Sequence, residues 1–438
     1  MILFYTEKIT PRVDYTVRLF FESILKANVV ITENHEEFNQ SELPKINYSE
    51  KESASGISLK PHGLLAAEKI EKFDIPEDWF NPEKTFFTSG KSLPFDVFSA
   101  AFYLVSRYEE YIITERDQYG RFHAEQSILY ASRLLKKPLV NIWAELIAES
   151  ISHEYPDFVW PERKFSFLST VDIDTAWAIK NKGFVRAFGA LLKSIFKANF
   201  RDFLDRIQVL SGLAKDPYFN YDYLNSVFEG NEEKVIFFFL LGDYNRYDRG
   251  ISYKNQEFRK LIREISKKYK TGIHPSFYST TDNSGKIQQT EKVRLAEITG
   301  ESVVISRQHY LKISFPETQR ILIKNGIQID YSLGYASQTG FRAGICTPFC
   351  FYDLENESQT ALLMVPFQVM DVTLRQYLEY SPVKATDEIL ELMEEVRKVK
   401  GTFVSVWHNE SVSDTHEWKG WRKVFETMNQ KGFGFANA

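Results

Sequence analysis

Apolar and polar residues change period along this chain, and the changes mark its elements. Near the start, residues 2–5 and 29–32 are short apolar runs that read as strands, with a helix over 11–26 between them. Residues 34–52 are polar and predict a loop. Apolar positions at Phe95, Phe98, Ala101, Phe102 and Val105 follow a helical period and predict a helix over 94–112, and residues 139–151 predict another. From residue 165 onward, strand and helix patterns alternate. Strands are expected at 165–171, 234–241, 271–273, 302–306, 364–369 and 403–406, and helices at 256–268, 291–297, 316–325 and 386–399. The run KVIFFFLL at 234–241 is continuously apolar, as a strand buried on both faces requires.

This rhythm divides the chain. Residues 1–160 predict a smaller α/β or α+β domain, in which no cluster carries recognisable chemistry. Pro156, Pro161 and a charge cluster mark a boundary. Residues 161–438 predict a parallel α/β sheet or barrel, interrupted by a basic, amphipathic insertion near 177–225. That insertion is expected to be a solvated helical hairpin packed on the barrel. A substrate-covering lid or a weak membrane-surface contact is the alternative.

Composition narrows the classes. A net charge of −5 offers no basic stripe for nucleic acid. No stretch reaches the ~18–20 apolar residues of a spanning helix, and the N-terminus lacks the features of a secretory leader, so a cytoplasmic protein is expected. Two cysteines, Cys346 and Cys350, are too few for a disulfide framework and are read as packed side chains rather than a metal pair.

The candidate chemistry sits at strand ends. Asp172 and Asp174, two apart on an extended strand, share a face. One could hold a cation while the other takes a proton from water. His274 follows a short strand and precedes Pro275, which limits its mobility. Arg307 and His309 follow the next strand, and His408 ends the last one. Three of the eight histidines thus lie just beyond strands of one region, where α/β barrels gather their active sites.

These segments resemble motifs of the polysaccharide deacetylases. T-V-D-I-D at 170–174 resembles their first motif, and residues 237–242 resemble the apolar strand that follows it. K-T-G-I-H at 270–274 resembles the opening of the second, R-Q-H-Y at 307–310 the third, and residues 404–408 the final strand with its histidine. The motifs follow one another in the right order from Thr170 to His408, with approximately the right spacing. The resemblance implies a distorted (β/α) barrel of the polysaccharide deacetylase type that removes an N-acetyl group from an amino sugar or glycan precursor. It also implies residue roles: Asp172 as general base, Asp174 and His274 as ligands of a divalent metal, usually zinc, His408 as general acid, and Arg307 orienting the base. Asp371 is a poor match to the acidic residue of the fourth motif.

One departure stands out. Where the family carries a second histidine, four residues after the first, this chain has Tyr278. His309 is the replacement expected to complete a one-carboxylate, two-histidine site. The alternative is a non-catalytic or regulatory carbohydrate-binding member with a degenerate metal site.

Overall fold

The structure, a computed structural model, describes every residue except 52, 54, 55, 74 and 76–94. Two sheets organise the described residues. The first is parallel throughout, in the order β2-β1-β3-β4: β1 (Ile2–Thr6), β2 (Val29–Thr32), β3 (Lys45–Tyr48) and β4 (Ile57–Leu59). The helix Pro11–Arg18 begins on Thr10, whose hydroxyl accepts from the Val13 N–H, with proline in the first turn.

The loop expected at 34–52 is instead the helix His35–Gln40 followed by β3. Asn34 caps that helix by accepting from the N–H groups of Glu36 and Glu37. Lys45, within this polar segment, is buried, and its ammonium donates to the carbonyls of Phe38, Asn39 and Ser41. A buried charge is tolerated when its donors are satisfied in this way.

The helix expected over 94–112 is two helices, Val97–Val105 and Tyr108–Ile112, broken where Arg107 takes a left-handed φ of 56°. Pro94 lies outside the described residues. Breaking the helix there aims the buried Arg107 guanidinium at Glu109 and Glu110. Glu110 also pairs with Arg342 at 2.7 Å. Tyr15 donates to the Cys350 carbonyl, and Arg12 pairs with Glu357. The N-terminal part of the chain is therefore joined to the remainder through buried polar contacts.

The second sheet has the order β10-β11-β9-β8-β7-β6-β5-β13-β12. Its strands are β5 (Ser166–Ile173), β6 (Val235–Phe239), β7 (Lys270–Ile273), β8 (Ile305–Ser306), β9 (Ile329–Asp330), β10 (Phe349–Asp353), β11 (Ser358–Met364), β12 (Val369–Met370) and β13 (Thr402–His408). All pairings are parallel except the β10–β11 hairpin, which alternation alone did not reveal. The single strand expected at 364–369 is the end of β11 and the start of β12. Their connecting stretch bonds on both sides: the N–H groups of Val365 and Phe367 donate to the carbonyls of Asp330 and Leu333, and the Gln368 N–H donates to the Val404 carbonyl.

All five residues of β6 are buried, each contributing ~1.5–3 kcal/mol. Gly272 lies so close to this strand that a Cβ there would stand 2.6 Å from the Phe238 ring. Helix Trp421–Ala436 closes over β5, with Gly432 against Phe167. Burial pushes both thiols up, Cys346 in the core and Cys350 half-buried on β10.

The insertion departs from expectation. Its helices Phe184–Phe196 and Phe200–Ser211 form a hairpin, but their apolar stripes do not pack on the sheet. Phe184 is 83% exposed and Phe196 86%. One polar contact joins the two helices, Ser194 donating to Asp202, and Asp202 pairs with Arg206 within the second helix.

Candidate active site

Five neighbouring parallel strands, β13-β5-β6-β7-β8, each deliver polar groups at or just after their carboxyl ends. β13 brings His408 directly opposite Asp172 of β5 in the strand register. Asp174 lies one residue past β5, Asp248 in the loop after β6, His274 just after β7, and Arg307 and His309 after β8. Backbone bonds hold the two histidine-bearing turns side by side. The Arg307 N–H donates to the Ile273 carbonyl, and the His309 N–H to the Pro275 carbonyl. Directly after His309, Tyr310 and Leu311 take left-handed φ values of 61° and 53° and turn the chain away.

The side chains converge. His274 Nε2 lies 3.3 Å from Asp174 Oδ1, and His309 Nε2 lies 3.3 Å from Asp174 Oδ2. One ligand atom from each of the three residues falls within 4.8 Å of the others. Both rings are fixed from behind: His274 Nδ1 contacts the Arg307 carbonyl at 2.6 Å, and His309 Nδ1 contacts Asp248 Oδ1 at 2.7 Å. An acceptor behind Nδ1 puts the proton there and turns the Nε2 lone pair toward Asp174. Asp174 Oδ1 has no hydrogen-bond partner among the described residues. With the rings neutral, two Nε2 lone pairs and the Asp174 carboxylate face one another, a donor set that fits a divalent metal.

The second carboxylate is held differently. Asp172 Oδ1 accepts from Arg307 Nη1 at 2.8 Å, and the same nitrogen donates to Thr170 Oγ1 at 2.7 Å. Asp172 Oδ2 is left facing His274 Nε2 at 3.8 Å. His408 is backed by Asp371: Nδ1 lies 2.8 Å from Oδ1, and the backbone N–H donates to Oδ2 at 2.7 Å. Its Nε2 faces Asp174 Oδ2 at 3.9 Å.

Electrostatics follow this layout. Burial would raise Asp174, but the surrounding His309, His274 and His408 hold it well below the usual carboxylate range. Burial opposes charge on His309, yet Asp174 and Asp248 pull it up to about 9. His408 is likewise opposed by burial and held well above its ordinary value, chiefly by Asp371.

The site opens into a cavity of about 780 Å³. The residues expected at the site, Asp172, Asp174, His274, His309 and His408, all line it, while Arg307 lies buried behind Asp172. Tyr278 stands 39% exposed, its ring 5.9 Å from that of Tyr247 on the cavity wall. Three contributors escaped sequence reasoning. Asp248 sits in a polar loop whose one available signal was an acidic residue beyond a buried strand. Tyr119 and Arg121 come from the N-terminal part of the chain and form part of the wall. Arg121 donates to the Tyr310 carbonyl and the Tyr377 hydroxyl, and the Tyr119 ring lies 5.2 Å from that of Tyr310.

Residues 2–156 match a family of unknown function, DUF7033. No curated protein matches the chain. Among solved structures, one from Mycobacterium smegmatis described as a polysaccharide deacetylase is 15% identical, with a TM-score of 0.40 over 62% of this chain and 86% of that one. A polysaccharide deacetylase from Bacillus cereus is 11% identical, with a TM-score of 0.30 over 62% and 88%. An allantoinase is 10% identical, with a TM-score of 0.38 over 63% and 86%.

Proposed function

We propose that this chain is a metal-dependent hydrolase that removes an N-acetyl group from an amino sugar or glycan precursor in the cytoplasm. One observation carries the reading. Two imidazole Nε2 atoms and a carboxylate, each ring fixed from behind, face one another beside a second carboxylate that is held separately. Asp174, His274 and His309 would hold the ion, and their mixed nitrogen and oxygen donors suit zinc. When bound, such an ion acidifies water and polarises a carbonyl oxygen.

The chain's own residues supply the rest. Asp172 acts as general base: Arg307 occupies Oδ1, which leaves Oδ2 to take a proton. Arg307 thereby sets the orientation of the base. His408 gives a proton to the departing amine, which is otherwise a poor leaving group, and Asp371 behind it favours the protonated ring. The tyrosines of the cavity wall, among them Tyr119, Tyr310 and Tyr377, offer faces for a sugar ring.

The reading also takes residues 161–438 as a distorted (β/α) barrel behind a domain spanning 1–160. The stretch between β11 and β12, bonded to β9 on one side and β13 on the other, supports closure of that barrel. The test is metal analysis of freshly purified protein, followed by acetate release from N-acetylglucosamine compounds before and after chelation. Near-stoichiometric metal and a chelator-sensitive release are expected. Protein that neither retains nor takes up a divalent ion would sink the hydrolase reading and leave a carbohydrate-binding or regulatory role.

A further inference from the structure

The helical hairpin beside the site presents its apolar side outward. Along helix Phe184–Phe196, the side chains of Phe184, Val185, Phe188, Leu192, Ile195 and Phe196 recur at helical spacing and form one stripe. All six are exposed, Val185 by 83%. The second helix continues the surface with Phe200 at 67% and Leu204 at 56%, and Leu213 beyond it is 84% exposed. Single exposed apolar residues need no explanation, but a contiguous stripe of this kind marks an interaction surface.

Its charge says what covers it. Residues 180–216 carry eight Lys and Arg against three Asp, a net of +5 in a chain whose total is −5. Lys193, Lys197 and Arg201 are exposed around the apolar stripe. Exposed apolar side chains among cations are the combination that seats a helix in the headgroup layer of an anionic bilayer, through buried apolar area and attraction to the lipid charge. At 13 and 12 residues the helices are ~18–20 Å long, short of the ~30 Å hydrocarbon core, and no described helix is long and apolar enough to cross a membrane.

We propose that this hairpin docks flat on an anionic lipid surface. Its first turn ties that surface to the cavity. Arg186, between Val185 and Phe188, lines the cavity with Lys182 and donates to the carbonyls of Arg249 and Gly250. Docking therefore brings the part of the cavity wall formed by Arg186 next to the lipid surface. On the reading of the site given above, the substrate reached in this position is an amino sugar held at the membrane by a lipid. The docking itself does not depend on that reading.

The experiment is sedimentation of the full chain with vesicles of phosphatidylcholine alone or mixed with phosphatidylglycerol. The expected result is partition onto the mixed vesicles, weakened by salt, with little on phosphatidylcholine alone. Phe184→Ser combined with Phe196→Ser should lower the partition coefficient at least tenfold, on the scale of losing two buried aromatic side chains. Lys193→Glu with Lys197→Glu should abolish the preference for the anionic vesicles. All four positions are exposed and outside the site, so circular dichroism and metal content should stay unchanged. Absence of partition onto anionic vesicles overturns the proposal. So does a stable dimer in light scattering that the phenylalanine variant converts to monomer, because a second copy would then cover the stripe. Neither outcome bears on metal content or acetate release.

Discussion

Asp248 accepts from His309 Nδ1 at 2.7 Å, and this contact sets where the other ring nitrogen points. Asp248 is itself fixed: its Oδ1 accepts the Phe277 N–H at 2.9 Å, and its Oδ2 accepts from Asn245 at 2.6 Å. The loop after β6 thus holds a ring delivered from β8. A carboxylate behind a metal-facing histidine fixes the tautomer and raises the ring's basicity.

Asp248→Asn should accordingly weaken metal binding about 10- to 100-fold, the usual cost of losing such a partner. His309→Ala should cost at least as much. Competition against a chelator reads both. Unchanged affinity in the His309 variant, with its circular dichroism intact, would mean that this ring is not a ligand.

Asp172 and Asp174 should separate cleanly. Asp172→Asn keeps the three ligand atoms in place, so bound metal should remain while turnover falls by about 10²–10⁴-fold, the typical value of a general base. Asp174→Asn should lower the metal content itself. Measuring bound metal and acetate release in the two variants checks the division, and the opposite pattern would reverse the assignment.

Glu291 gives the protein a pH dependence of its own. It is buried on helix Lys286–Thr299, where one oxygen accepts the Ser276 N–H at 2.8 Å. Burial raises its pKa from 4.5 to about 7. The folded state therefore holds this proton more tightly than the unfolded state. The resulting stability is fully present below the unfolded value and is lost as pH rises toward and through 7. Glu291→Gln keeps the acceptor without the charge. Relative to the parent protein, it should gain on the order of 3 kcal/mol between pH 4 and pH 8. Urea unfolding of both proteins at the two pH values measures this, and a difference that does not change with pH would refute it.

Glu110 stands between two buried guanidinium groups, Arg107 and Arg342, contributed from either side of residue 160. Glu110→Ala would leave both without their shared carboxylate, at a cost of about 3–5 kcal/mol. A large drop in unfolding midpoint is expected. A change below about 1 kcal/mol, the scale of an exposed pair, would show that solvent reaches these charges.

Much of this molecule was legible in the chain before folding. The alternation from residue 165 onward located the central parallel strands, because a strand buried on both faces must read as an apolar run, as β6 does. The placement of the candidate site was legible for a related reason: Asp172, Asp174, His274, Arg307, His309 and His408 lie at or just beyond strand ends, so a parallel arrangement of consecutive strands brings them together. His309 could be singled out because one ligand short of three left few other candidates.

What tertiary structure alone decided are the partners behind those groups and the orientation of the insertion. Asp248 and Asp371 act through loops whose positions depend on how strands far apart in sequence pair. Tyr119 and Arg121 reach the cavity only because the N-terminal part of the chain packs against the second sheet. Lys45 lies in a polar segment and is buried because three carbonyls turn toward it. The hairpin at 184–211 has the period of a packed amphipathic helix, yet its apolar side faces out. Periodicity gives the width of an apolar stripe but carries no information about which surface, inside the molecule or outside it, the stripe will meet.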